Sequence, residues 1–282
     1  MSPLLKIAAI VLLVSLMLDV GLQMDRERLR TILTNYGLLG RTLLANFVVV
    51  PILGVILVRL FKLSDPIAAG VLLMAISPGG RGVLVSGGRA HGGSLAFAIT
   101  LAFILPAFSI ITVPITAHYV LASAHIATGS LILVLVVFQL VPLLIGMLVN
   151  DRWPSAAGRL IRPLYIFTML VLLVVVIPIV PILVRSVTTV YGSLGILAML
   201  SIVVLSIVTG WVLGGPQREH QRTLALGTAL RSFAFCAVIA TKSFPGTEAT
   251  AAVVTYLLVQ IIVTALVGAY FKRTAKLTGA AA

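Results

Sequence analysis

A single cysteine, Cys236, leaves no partner for an internal disulfide and no set of thiolates for a metal. Set between Phe235 and Ala237, it reads as a buried, inert thiol. Charge is scarce as well: 10% of the 282 residues are charged, where a soluble domain carries about a quarter, and 60% are hydrophobic. With a mean hydropathy of +1.20, that composition excludes a soluble globular domain and specifies an all-α polytopic membrane protein. Acidic residues are rarest, seven Asp and Glu against twenty Lys and Arg, for a net charge of +13. In a soluble chain that excess would suggest nucleic acid. Here it reflects positive flanks that set membrane orientation, and no nucleic-acid partner is expected. Of the four histidines, His118 and His125 flank the link between the fourth and fifth apolar runs and His91 and His220 lie in other links, none with metal-ligand spacing, so no metal site is expected. No nucleophile–base pair or metal-binding helix is visible, and the Gly-rich stretch follows no strand of a βαβ unit. The chain is not expected to be an enzyme, and no cofactor is implied.

What is plentiful is apolar run. A span needs about 20 mostly apolar residues. Nine stretches qualify: Pro3–Leu22, Leu38–Val58, Ile67–Gly87, Ser94–Val120, Ile126–Val149, Pro163–Val184, Gly192–Leu213, Thr223–Ala240 and Thr250–Phe271. Pro3–Leu22 reads as a span rather than a cleavable signal, because no small-residue cleavage site precedes Asp25-Arg26-Glu27-Arg28. The links are short, which predicts one transmembrane domain over residues 1–282. Counting Lys and Arg in the links and span ends gives 13 on one side and 5 on the other. By the positive-inside rule the N-terminus is outside and the C-terminus cytoplasmic.

Two of the twenty cations remain after that count, Arg81 and Arg231, both deep inside spans. A charge at mid-membrane costs roughly 2.5–3.5 kcal/mol on insertion scales, so each implies a cavity, a partner or a ligand. Asp19 is the one acid within a span and cannot neutralise both. Arg81 belongs to the stretch Ala75-Ile-Ser-Pro-Gly-Gly-Arg, where Ser77, Pro78, Gly79 and Gly80 interrupt the third span, with Ser86 just beyond. A broken helix survives in hydrocarbon only where protein or a water-filled cavity surrounds it. Interrupted spans hold the binding site in many secondary transporters. Arg231 lies in the eighth span, beside Thr228 and Ser232, where no proline announces a break. An offset of five spans means that the two run in opposite directions, as an inverted repeat requires: residues 3–120 against 126–271, the fifth span unmatched. Gln139 and Gln260 read as interhelical hydrogen-bonding residues, and Trp153, Tyr165 and Trp211 as interfacial anchors.

These residues resemble a known family. Gly70-Val-Leu-Leu-Met-Ala-Ile-Ser-Pro-Gly-Gly80 resembles the broken fourth helix of the bile acid:sodium symporter family. Val20–Met24 is similar to that family's G-L-x-L segment, Asn46-Phe47 five residues before Pro51 to its Gln-Phe, and Arg222–Ser232 to its second crossing helix. The resemblance implies a ten-helix inverted-repeat fold, here read as nine without the first helix, in the cell's inner membrane. Spans two to four and seven to nine would form a core domain, and one, five and six a panel. It also implies alternating access and an organic-anion substrate such as a bile acid, steroid sulfate, pantoate or keto acid, usually driven by sodium. The sequence departs from the family at the sodium ligands. Val83 and Leu84 stand for a Ser-Asn pair, Ala225 and Ala229 for a glutamate and a glutamine, and Ala102, Ile104 and Leu105 for hydroxyl residues. Sodium wants oxygen ligands, and only Asn46 keeps a side-chain oxygen, so the cation sites read as dismantled. The expectation is a transporter in which Arg81 and Arg231 replace two bound cations and hold an anion, with Asn46, Ser77, Gly79, Gly80, Ser86, Thr228 and Ser232 around them. The alternatives are a sodium symporter with atypical cation ligands, and a non-transporting sensor or an anion channel on the same fold.

Overall fold

Proline, glycine and the ends of apolar runs decide where the helices begin and stop. The computed structural model describes residues 3–79, 91–121, 128–176, 194–244 and 247–277. Among these the chain is all helix. It starts with α1 (Pro3–Leu22), a short amphipathic α2 (Arg26–Thr34), α3 (Tyr36–Leu60) and α4 (Asp65–Ile76). Next come α5 (Leu95–Val120) and α6, which runs as Thr128–Leu135, a π turn Val136–Leu140 and Val141–Arg152. The remainder is α7 (Pro154–Val176), α8 (Gly195–Leu213), α9 (Arg218–Ala229), α10 (Phe233–Ser243) and α11 (Ala249–Leu277). Six helices of the described residues are long and apolar enough to cross a membrane.

Most expected spans fall on these helices with small shifts at the ends. Ser94 caps α5, its hydroxyl accepting from the Phe97 N–H at 3.3 Å. The sixth span begins earlier than expected, at Pro154, where a proline costs a first helical turn nothing. Pro178 and Pro181, prolines of the kind that kink a span, lie outside the described residues. The eighth is two helices, α9 and α10, parted by Leu230–Ser232. Of the third, α4 is described as far as Ile76 and the chain as far as Gly79.

Between membrane helices there is little hydrophobic driving force, so small residues and close approach hold them together. Gly21 of α1 and Gly146 of α6 face each other: a Cβ on Gly21 would strike the Leu143 carbonyl, and one on Gly146 the Leu18 carbonyl. Polar contacts add register. Gln139 Nε2 donates from α6 to the Pro106 carbonyl (2.9 Å) and the Ser109 hydroxyl (2.8 Å) of α5, the interhelical role expected of it. The innermost elements are α4, buried from Ile67 to Ile76, and α9 and α10, buried along most of their length. By contrast α7 leaves Ile166, Phe167, Leu170, Leu173 and Val174 exposed, as a lipid-facing helix should.

Both α3 and α6 contain a five-residue π turn, Ala45–Val49 and Val136–Leu140, and each ends two residues before a proline, Pro51 or Pro142. The ring of such a proline crowds the carbonyl four residues back and offers no N–H. In α3 the Val50 N–H bonds to the Ala45 carbonyl. The carbonyl of Asn46 would then look five residues on for its donor, and there stands Pro51. The sequence thus leaves one backbone acceptor of α3 free for something else.

Candidate functional site at the helix crossing

The C-terminal ends of α4 and α9 meet. Gly79 and Arg231 form an isolated antiparallel bridge, and the Ser232 N–H donates to the Pro78 carbonyl at 3.0 Å. The contact is tight: a Cβ on Gly79 would come within 2.9 Å of the Gly227 carbonyl and 2.8 Å of Leu105 Cδ1. Each helix presents its negative end here, with carbonyls that its own turn no longer satisfies. Ser77 is the last capping residue of α4, extended at φ −66°, ψ 148°, and its hydroxyl folds back on the Met74 carbonyl at 2.9 Å.

Arg231 fills the space between those ends. It is 4% exposed, and its Nη1 donates to the Ser77 carbonyl at 2.9 Å and to the Asn46 carbonyl at 3.5 Å. The second acceptor is the one freed by the π turn and Pro51. Nε and Nη2 are buried without a hydrogen-bond partner, and no carboxylate of the described residues pairs with them. Asp19 is buried in α1, where its Oδ2 accepts from Gln23 Nε2 at 3.0 Å. The backbone of Arg231 is clamped from α11: its N–H donates to Gln260 Oε1 (3.0 Å), and Gln260 Nε2 donates to its carbonyl (3.3 Å). The fully buried Tyr256 and Cys236 complete the surroundings of the guanidinium. The Cys236 thiol, buried as expected, donates to the Leu73 carbonyl at 3.4 Å.

Of the sequence's candidates, Asn46, Ser77, Gly79, Arg231 and Ser232 converge at this crossing. Asn46 Nδ2 donates to the Thr42 carbonyl at 3.0 Å, while its Oδ1 is buried without a partner. Thr228 is buried on α9 and its hydroxyl bonds back to the Leu224 carbonyl at 2.7 Å, so it supports the helix end. Ser232 sits at the start of α10 and its side chain does not cap the first N–H groups of that helix. Gly80, Arg81 and Ser86 lie outside the described residues. Gln260 and Tyr256 were missed as site residues. A lone glutamine and a lone tyrosine in an apolar span look alike whether they meet a helix flank or a helix break.

A cavity of about 460 Å³ opens beside the crossing, among Asp25, Glu27, Thr42, Phe97, Thr100 and His220. Of the candidate site residues described, Asn46, Ser77, Gly79, Thr228, Arg231 and Ser232, none lines it. Thr42, on its wall, is one helical turn from Asn46, and its hydroxyl is buried without a partner. The His220 ring packs tilted against that of Phe97, with ring centroids 4.9 Å apart. Burial holds the His220 imidazole below its ordinary pKa, opposed in part by Glu219.

Residues 10–190 match the model of the sodium bile acid symporter family, more than half of the chain. The chain belongs to the sodium bile acid symporter family. It is therefore a multi-pass membrane protein of a transporter family. It is also 28% identical over 148 residues to a probable sodium/metabolite cotransporter BASS2, chloroplastic, of Oryza sativa subsp. japonica. That alignment covers 52% of this chain and 35% of the relative, so the chain spans about a third of the curated protein it matches. The family match takes in Asn46, Ser77 and Gly79, whereas Arg231 lies beyond residue 190 and is tied to the same site by geometry.

Proposed function

We propose that this chain is a secondary transporter of a small organic anion in which the Arg231 guanidinium stands where a bound cation would otherwise sit. One observation carries the reading: Nη1 of a buried arginine, unpaired with any described acid, lies on the Ser77 and Asn46 carbonyls where α4 and α9 end. Two negative helix ends and a freed carbonyl are what a cation needs, and a tethered one is supplied in cis. Ala225, Ala229, Ala102 and Leu105, all buried with no side-chain oxygen, support the same reading, since they leave sodium few ligands. The remaining guanidinium donors and the start of α10, which the Ser232 side chain does not cap, favour an anion next to that charge. Arg81 would add a second charge from the matching span. The wider reading is of nine spans in an inverted repeat, with core and panel domains, N-terminus outside, in the cell's inner membrane. It draws support from α4 and α9, each 12 residues long and antiparallel where they meet. Transport would be uniport, exchange or proton-coupled, by alternating access at the crossing.

A sodium-coupled mechanism is the second reading, favoured by the name of the rice relative and by the unpartnered Asn46 Oδ1. The two are separated by thermal unfolding of the purified protein with a panel of organic anions, each in sodium and in potassium, since a ligand of the folded state raises Tm. The fixed-charge reading expects an anion that stabilises equally in both salts and loses its effect in Arg231→Gln. Stabilisation that appears only with sodium overturns it. Uptake into proteoliposomes tests transport itself: binding without flux points to a sensor, and conductance without saturation to a channel.

A further inference from the structure

A second concave surface lies well away from the crossing. The ends of α8, α9 and α11 enclose a groove of about 920 Å³, lined by apolar Ile207, Val208 and Val267, by Trp211 and Tyr270, and by Arg218 and Arg222. Its apolar wall continues onto faces open to the bilayer, where Val204 and Val208 of α8 and Ile262 and Leu266 of α11 are exposed. Its other end is cationic. Arg218 is exposed, its guanidinium carbon 5.6 Å from the centroid of the Trp211 ring. Arg222, counted from sequence as a flanking charge, is only 6% exposed. Its Nη1 donates to the Gly92 carbonyl (3.2 Å) and Nη2 to the Thr274 hydroxyl (3.4 Å), while Nε is buried without a partner. One acid, Glu219, shares the lining with these two guanidinium groups, and exposed Lys272 and Arg273 follow directly after Tyr270-Phe271 on α11.

We propose that this groove binds an anionic phospholipid, its phosphate between Arg218 and Arg222 and an acyl chain along Ile207, Val208 and Val267. The long apolar wall, continuous with lipid-facing helix surfaces, selects a lipid over a soluble phosphate. Trp211 and Tyr270 mark headgroup depth, where tryptophan and tyrosine concentrate. Basic pockets between membrane helices hold anionic headgroups. The placement matters because α9 ends at the crossing and α11 carries Gln260, which clamps Arg231. A lipid seated across α8, α9 and α11 braces the two elements on which that clamp depends.

The test uses the full chain in neutral detergent, with thermal unfolding followed against added phosphatidylglycerol or phosphatidylcholine of the same acyl chains. Glycerol phosphate and inorganic phosphate serve as soluble controls. Phosphatidylglycerol is expected to raise Tm at concentrations where phosphatidylcholine does not, with no effect of either soluble phosphate. Arg218→Gln should weaken the phosphatidylglycerol effect about fivefold in apparent affinity, the worth of one cation at a membrane surface. Because Arg218 is exposed, the variant keeps its fold, and Arg218→Lys should restore most of the selectivity. Equal shifts with both lipids overturn the proposal, as does unchanged headgroup selectivity in Arg218→Gln. A shift reproduced by inorganic phosphate would make this a soluble-anion site and overturn it as well.

Discussion

Arg231 is held at three points, and each has a different chemical consequence. Gln260 satisfies its backbone N–H and carbonyl, both stranded by the end of α9. Gln260→Leu leaves both unpaired inside the membrane, and a buried unpaired polar group costs about 1–3 kcal/mol. We expect a lower Tm together with loss of anion stabilisation. Gln260→Glu, which keeps the acceptor for the N–H, should lose less Tm. Gly79 has no slack: Gly79→Ala forces a methyl against the Gly227 carbonyl and Leu105, an overpacking cost of about 1–3 kcal/mol. Because the crossing itself must open to admit that methyl, the same variant should abolish anion binding. Outside the membrane, burial lowers the pKa of both His220 and His91, the latter also through Lys272. A base whose folded pKa lies below its unfolded value binds its proton more weakly in the native state. Its contribution to stability is therefore present above the ordinary histidine pKa near 6.5 and is lost as pH falls through that range. Tm should drop between pH 7.5 and 5.5, and the slope should flatten in a His91→Gln, His220→Gln double variant.

At the scale of elements, the π turn in α3 and the proline that follows it free the Asn46 carbonyl as a hydrogen-bond acceptor for the site. Val50 bonds back to Ala45, Pro51 has no N–H to offer, and the Asn46 carbonyl turns to Arg231. Pro51→Ala returns the missing donor. Slower hydrogen exchange around residue 51, together with weaker anion stabilisation, is the expected outcome. An anion response as strong as that of the natural chain would show that the freed carbonyl is dispensable. The matching turn in α6 is used differently, since Gln139 within it reaches Pro106 and Ser109 of α5. Interhelical bonds of this kind average about 0.6 kcal/mol in membranes, so Gln139→Leu should lower Tm slightly and leave anion binding intact.

Across the whole molecule, the arrangement makes orientation directly measurable. Cys236 is fully buried, so single-cysteine labelling can be run against a quiet background. Lys276→Cys should react with a membrane-impermeant thiol reagent only from the cytoplasmic side, and Lys62→Cys only from outside. The reverse pattern would invert the topology read from the 13-to-5 charge count. Inner and outer elements also differ: α4, α10 and α9 from Arg222 onward are buried along most of their length, whereas α7 faces outward along most of its own. A broken helix can persist only in the first setting, because lipid has no donors for its loose carbonyls.

The apolar runs alone specify a helical membrane chain, because helices of about 20 apolar residues satisfy their own backbone in lipid. Pro78-Gly79 announces one break for an equally local reason: a missing N–H and a missing Cβ are written in the residues. The excess of arginine over acid likewise marks Arg231 as a charge needing an explanation. Nothing local marks the second break. Leu230, Arg231 and Ser232 all tolerate a helix, and their chain departs from it because Pro78, Gly79 and Gln260 offer the stranded groups better partners. The partner of Arg231 was equally hidden. Backbone carbonyls are present at every residue, and which of them are free depends on where helices end and on a π turn. Only the packing of α3, α4, α9 and α11 against one another decides that, and with it the place where a charge can rest inside the membrane.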